Sequence, residues 1–594
     1  MKLHKIILTV LLVLGTLFGL IYAYLMMKAG AMGIYGINDI YGPLSRSPLL
    51  SVFLILSMSF LLIASTISLN KDKKVFIFIT IYSIITIAFL RYFWPDFANY
   101  YYMTDFEDSF GHNLQATYIT TNGHIWYGTF SSLQPGFWLT LAEIVLMIFG
   151  KTNSLTSPPF YFFIKWYTTI FILISIPVIY ITFKLYGLND RQTMIALIVY
   201  LIISPQFAYV ISNDYAIIPF ALSSGFFIKA LKSNKIRDYI IFMITFFFSA
   251  LNHLLILLWL SFGILGASML MIILPKINIP KRNAFYIFLS IISLYLLRLS
   301  LLPRSFVTSN VNGVLYSINT GLKSLIDLFV KPRSSAFITE SVRALPSYTF
   351  AVRIKELDYM YLLAIPFFVL LSFSIINKKI EYKVLLLFII FSGLIAGLQV
   401  IGMGGVGWAD RLPKDLLPIL AFSFSSILFL GENRKNKQLK IKKIIKVVGV
   451  SLIIIASTLS LFATYAGYST VAFPYSEPFG EAGIGIGITN HTSPNFDFYY
   501  YVDFGLPLLS YSSPPMYYEF AWTYFIYGVY SIYPNATYLL NTINNISSKS
   551  NIVLMTPTDF IFQKTWPYHK LPQIIKREWI IALLRKHLTN QNIG

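Results

Sequence analysis

Asp96, Asp105, Glu107 and Asp108 stand close together in a chain that has only 25 acids in 594 residues, and His112 and His124 follow them. Neighbouring carboxylates can divide labour: one stays ionised while the proximity of its charge raises the pKa of the other. That pairing suits the deprotonation of a hydroxyl acceptor, with Asp108 or Glu107 as base and Asp105 beside them. Asp, Glu and His are also ligands of divalent cations, so Asp108 and His112, joined by the distant Asp214, form an alternative cation site. The spacing matches no diagnostic metal motif, and the reading without a metal is preferred. Asp108, His112, Gln115 and Ile119 step by three or four residues along one helical face. Leu114, Ala116, Tyr118 and Ile119 give that stretch an apolar side, as expected of a helix lying on a membrane surface. The plainer alternative is a solvated surface helix. Against it, a carboxylate at a membrane interface is costly unless it meets a cation, water or substrate.

Three further places carry chemistry. Asp214 follows Asn213 between two apolar runs, where a lone acid marks a functional site or caps the next helix. His253 sits at another join of two apolar runs, as a substrate contact or a hydrogen-bonded structural histidine. Arg411 follows a glycine-rich stretch and opens an apolar run, with Lys414 one turn on. A guanidinium at a helix N-terminus suits a phosphate, since its fork and the free amides both donate to oxygen. An Asp410–Arg411 surface pair is the bland alternative.

The elements that must position these groups are membrane helices. The chain is 56% hydrophobic and 12% charged, against about 25% charged in a soluble domain. Residues 6–27 run without a charge, and at 1.5 Å rise per residue such a run crosses a hydrocarbon core of about 30 Å. In lipid every backbone polar group must be satisfied within the segment, so these runs become helices. Apolar segments lie near 6–27, 49–69, 75–92, 136–150, 159–183, 193–210, 216–231, 238–253, 254–274, 284–302, 359–376, 384–401, 413–430 and 445–466. The first is longer than the apolar core of a signal peptide and reads as an uncleaved anchor. The chain has no cysteine, which excludes disulfides, thiolate metal sites and thiol catalysis. Its net charge of +21 would point to nucleic acid in a soluble protein. Here Lys and Arg cluster at helix ends, as the positive-inside rule expects, and nucleic-acid binding is not.

Basic clusters at Lys2 and Lys5, Lys71–Lys74, Lys184–Arg191, Lys229–Arg237, Lys276–Arg282, Lys378–Lys383 and Arg434–Lys443 mark the cytoplasmic side. Three N-glycosylation sequons, at Asn490, Asn535 and Asn545, lie in the tail, which favours its export. An inside N-terminus and an outside C-terminus need an odd number of crossings. If 136–150, which follows Gln134-Pro135-Gly136, stops short of crossing, 13 helices remain and every basic cluster falls inside. The expected fold is therefore mainly α: a polytopic bundle over 1–466, N-in and C-out, and a small extracytoplasmic α+β domain over 467–594. Outer loops span 93–135 and 303–358. The second holds Arg304, Lys323, Lys331, Arg333, Arg343, Arg353 and Lys355, a basic surface suited to an anionic head group. In the tail, Phe496–Tyr501 and Ile552–Met555 look like strands and Ile574–Leu588 like a helix.

The pattern resembles the GT-C glycosyltransferases, which use polyprenyl-phosphate sugars and include protein mannosyltransferases and aminoarabinose transferases. The resemblance rests on Glu107-Asp108 with Gly111-His112, on Ala116 to Ile119, on Gly123-His124-Ile125, and on Gln134-Pro135-Gly136-Phe137. Ser204-Pro205 followed by Asp214, and Arg411-Leu412-Pro413, are similar to two later family features. Two helices precede the acidic loop where the simplest members have one, and the tail holds no Trp-Trp-Asp of oligosaccharyltransferases. The resemblance implies a carboxylate base, Arg411 and Lys414 on the leaving phosphate, and His112, Asp214 and His253 orienting substrate. It further implies a polyprenyl-phosphate sugar donor and a protein, glycan or lipid acceptor at the outer face of the cell membrane. A multi-pass transporter or a non-catalytic scaffold of a cell-surface assembly are the alternatives. A transporter would place polar groups at midplane, often in paired halves, and neither is found.

Overall fold

The computed structural model describes residues 2–30, 48–98, 102–103, 119–120, 123–125, 135–149, 158–204, 215–233, 235–252, 254–273, 281–300, 346–376, 379–403, 412–429, 439–470, 477–478, 498–500 and 552–554. Nearly all of them are helical. α1 (Lys2–Gly30), α2 (Pro48–Ser68) and α3 (Lys73–Ala88) follow the first three apolar runs. α3 continues through a π turn, Phe89–Phe93, into α4 (Trp94–Ala98). Next come α5 (Pro135–Phe149), α6 (Pro158–Leu185), α7 (Asp190–Ile203), α8 (Ile217–Lys232) and α9 (Ile236–Asn252). α10 (Leu254–Ile273), α11 (Lys281–Ser300), α12 (Pro346–Ile376) and α13 (Ile380–Met403) follow. The helices end with the short α14 (Leu412–Asp415), α15 (Leu417–Leu428) and α16 (Leu439–Thr470). Among the described residues, five spans are long and apolar enough to cross a membrane: Lys5–Lys28, Leu49–Ser68, Lys73–Phe93, Leu357–Ile376 and Lys443–Phe462.

Burial divides apolar faces rather than apolar from polar ones. On α1, Val10, Val13, Leu17, Leu20 and Tyr24 are exposed along one face, while Tyr22 and Met26 are buried. A helix that is apolar all round yet half exposed needs an apolar solvent, and the outward stripe is the surface that lipid would cover. α7 and α15 have no such stripe. Every residue of α15 is buried, and α7 packs against α2, α3, α6, α15 and α16 at the centre.

Close approach depends on glycine in one helix pair. α10 lies against α13 through Gly263 and Gly266, where a Cβ on Gly266 would stand 2.3 Å from Phe391 Cδ2. Gly266→Ala is expected to lower stability by about 1–3 kcal/mol, the usual range for overpacking. Gly393→Ala, whose added Cβ would meet nothing within 4 Å, should leave it level or raise it by up to about 1 kcal/mol through helix propensity. Thermal unfolding of the two variants in detergent checks the contrast.

One end of the bundle is held by charge. Asn189 caps α7 in a reciprocal box with Gln192. Arg191 reaches back to the carbonyls of Leu69 and Lys71 at 2.8 and 3.0 Å, and Lys184 pairs with Asp190 at 2.7 Å. α6 ends in a Schellman turn: Gly187, at φ 90°, donates to Lys184 O and Leu188 to Phe183 O. A Cβ at Gly187 would lie 3.0 Å from Glu381 Oε1, and that carboxylate takes Lys232 Nζ at 2.6 Å. Asn283 Nδ2 donates to Ser233 O at 3.0 Å. The basic turns after α2, α6 and α8, with the starts of α11 and α13, therefore share one end, as the charge pattern requires.

Two expectations need correction. Residues 346–358, read as the end of an outer loop, are the first turns of α12, because hydropathy marks only the apolar part of a helix that Pro346 can open. The run 413–430 is two helices, broken at Leu416 where α15 restarts with Pro418 in its first turn. The tail reading 467–594 falls outside the described residues save for short pieces, and Ile574–Leu588 lies outside them. Glu477–Pro478 pairs antiparallel with Tyr102–Met103, tying the tail to the acidic loop, and Phe498–Tyr500 pairs parallel with Ile552–Leu554.

Candidate functional site

The end of the bundle opposite the basic turns gathers the neighbours of the candidate residues. Asp105, Glu107, Asp108, His112, Asp214, His253 and Arg411 themselves lie outside the described residues, as do Asn490, Asn535 and Asn545. Lys414 is described: it stands half-buried on α14 between buried Pro413 and Asp415, and α14 packs on α12 and α13.

The glycine read from the sequence as following the short surface helix does end a helical turn. Ile119 and Thr120 are buried and helical, Gly123 has φ 72°, and its N–H bonds to Ile119 O at 2.8 Å. Only glycine takes that left-handed cap without strain. Ile119 belongs to the main core, so the stretch after the acids is pinned to the bundle at this point.

Pro135-Gly136 opens α5 at the same end. Gly136 lies flat against the Asn252 carboxamide, where an added Cβ would fall 3.1 Å from Oδ1. Asn252 is fully buried and precedes His253; its Nδ2 donates to Phe248 O at 2.7 Å, and its Oδ1 has no partner among the described residues. Tyr215, next after Asp214, packs its ring on Phe137 at 5.7 Å and Phe171 at 6.1 Å. Burial pushes its hydroxyl up, and a hydrogen bond with Thr140 opposes the shift. The first turns of α5 thus touch the residues beside both Asp214 and His253.

Sequence reading missed a second group on this end. Arg91, in the π turn after α3, is 1% exposed, and its Nη1 and Nη2 donate to the carbonyls of Ile202 and Ser204 at the end of α7. Tyr92 OH donates to Leu201 O at 3.1 Å. A helix leaves its last carbonyls unpaired and favours positive charge there, so the guanidinium serves as a side-chain cap supplied by another helix. Asp358 on α12 is 3% exposed and close enough to Arg91 for their charges to attract. Arg91 Nε and Asp358 Oδ1 both lack a hydrogen-bond partner. The one signal that could have found the pair is a charge at the edge of an apolar run, which positive-inside counting absorbs or assigns to a loop.

Among the described residues no group of three or more His, Asp or Glu could hold a metal. No protein-family model and no curated protein matches the chain. Two solved structures are similar to it, both of the Archaeoglobus fulgidus oligosaccharyltransferase: one in the apo form, one tethered through a disulfide to an acceptor peptide containing the NVT sequon. Each is 11% identical, with TM-scores of 0.48 and 0.49 over 74% of this chain. The chain spans 64% and 63% of the length of those two structures.

Proposed function

We propose that the chain is a membrane glycosyltransferase that moves a sugar from a polyprenyl-phosphate carrier to an acceptor at the extracytoplasmic face. The observation that carries this reading is the convergence at one bundle end. The helix opened by Gln134-Pro135-Gly136, the neighbours of Asp214 and His253, and the glycine cap after the acidic stretch meet opposite the basic turns. These motifs are far apart in sequence, and composition alone gives no reason for them to meet.

In this reading Asp108, or Glu107 or Asp105 beside it, takes the proton of the acceptor hydroxyl as that oxygen attacks the sugar carbon. Attack from the face opposite the leaving phosphate inverts the configuration there. Arg411, with Lys414 one turn on, neutralises charge as the phosphate departs, and His112, Asp214 and His253 orient the sugar and acceptor. The acceptor is a protein, glycan or lipid, and a divalent cation on Asp108, His112 and Asp214 is the weaker variant. The bilayer is the solvent for the carrier chain, whose apolar surface cannot leave it cheaply. α5 supports the topology of 13 crossings: its 15 residues rise about 22 Å, short of a hydrocarbon core of about 30 Å. It starts at the site end and stops short, leaving the basic turns inside and the tail, with its three sequons, outside.

Deleting the gene is expected to leave surface glycans shortened or absent and to build up a polyprenyl-phosphate sugar. Mass spectrometry of surface glycoproteins and of extracted lipids reads both. Unchanged glycans together with an unchanged lipid-linked pool would sink the reading.

A further inference from the structure

Asp358 is the buried carboxylate that the proposed chemistry leaves unused. Its position on α12 is not incidental. Leu362, Leu370 and Phe373 are buried on the same helix, whereas Leu357, Met360, Phe368 and Ile375 are exposed, so Asp358 lies on the face turned into the bundle. An ionised group there loses its hydration and persists only if something compensates it. Arg91 supplies the charge, but its two terminal nitrogens are committed to Ile202 and Ser204 of α7. The attraction is therefore through space, and Oδ1 keeps its acceptor capacity without a donor.

Charge decides what that oxygen can take. Arg91 and Asp358 together are neutral, so a cation at Oδ1 would leave net positive charge buried beside a guanidinium. An anion would face the carboxylate. A neutral donor, a hydroxyl, completes the hydrogen bond without adding charge. Asp358 also lies on the element joined to the proposed phosphate site, since α14, directly after Arg411, packs on α12. Leu357 and Met360, on either side of it, are 53% and 70% exposed on the face that lipid would cover, so a ligand held by a lipid carrier arrives at this level.

We infer that Asp358 Oδ1 accepts a hydrogen bond from a sugar hydroxyl, making Asp358 a sugar-binding residue of the outer site. The inference rests on the glycosyltransferase reading and extends it to a residue outside the family pattern.

The test compares Asp358→Asn with Asp358→Leu in detergent-purified protein. Both remove the charge that balances Arg91, but Asn keeps an acceptor oxygen. With a short-chain polyprenyl-phosphate sugar as donor, Asp358→Asn is expected to raise KM by about tenfold or less and Asp358→Leu by about a hundredfold. Equal KM values in the two variants would reduce Asp358 to a counter-ion and overturn the inference. Should the Leu variant not fold, ligand-induced thermal stabilisation of the wild type and the Asn variant decides. The sugar-bearing carrier, or a soluble methyl glycoside, should stabilise the wild type more than bare polyprenyl phosphate does, and this margin should shrink in Asp358→Asn. Stabilisation by the carrier places the donor's sugar at Asp358; stabilisation by the glycoside places the acceptor's. A margin unchanged by the substitution, or absent in the wild type, overturns the inference. A wild type that binds the sugar-bearing carrier but transfers nothing sinks the enzymatic reading instead.

Discussion

Arg91→Met is expected to destabilise the folded bundle by about 3–5 kcal/mol, the cost typical of breaking a buried charge pair from one side. Methionine keeps most of the length and the apolar stem. It removes the donors to Ile202 O and Ser204 O and the charge opposite Asp358. Two carbonyls at the end of the central helix then lie buried without a donor, and one carboxylate is buried without a cation. Arg91→Lys should recover part of the loss, because an ammonium restores the charge but has no planar fork to reach both carbonyls. Thermal unfolding in detergent reads the series, with the order wild type, Lys, Met. A Met variant within about 1 kcal/mol of wild type, the scale of one ordinary hydrogen bond, would mean that water or another donor replaces the guanidinium.

Lipid makes helices legible, because a chain that must satisfy its own backbone advertises each crossing as a run of apolar residues. α1, α2 and α3 begin and end within a few residues of the runs that announce them. The basic turns were legible for the same reason, and the link from Arg191 to Leu69 and Lys71 confirms that two of them share an end. Pro135-Gly136 could be singled out by its residue types, and the structure adds that Gly136 must be small because Asn252 lies against it. What the sequence hides is pairing at a distance. Arg91 meets the end of α7 more than a hundred residues away, and nothing near position 91 names Ile202 as its partner. Asp358 was hidden by its setting, since Arg353, Lys355 and Glu356 beside it read as loop until Pro346 is seen to open a helix. The strand-like patches at Phe498–Tyr500 and Ile552–Leu554 were visible as clusters, but not their parallel pairing.

Asp108→Asn is expected to lower sugar transfer by on the order of 10²-fold or more while the protein inserts and folds as before. Asparagine keeps the size and the hydrogen-bonding reach of the side chain and removes its basicity, so the loss isolates proton transfer. Stability should not follow, because the stretch after the acids is anchored elsewhere: by buried Ile119 and Thr120 and by the Gly123 cap. The kinetic form of the loss matters as much as its size. A base acts on the acceptor in the transition state, so kcat should fall while KM for the carrier-linked sugar changes little. Arg411→Met should show a mixed pattern, raising KM and lowering kcat, since a phosphate-binding cation holds the ground state as well as the departing charge. If Asp105→Asn gives the large kcat loss and Asp108→Asn none, the base lies one helical turn earlier in the loop. If no acid between Asp96 and Asp108 affects kcat while transfer itself is intact, the hydroxyl is activated by another group, and the carboxylate mechanism is wrong.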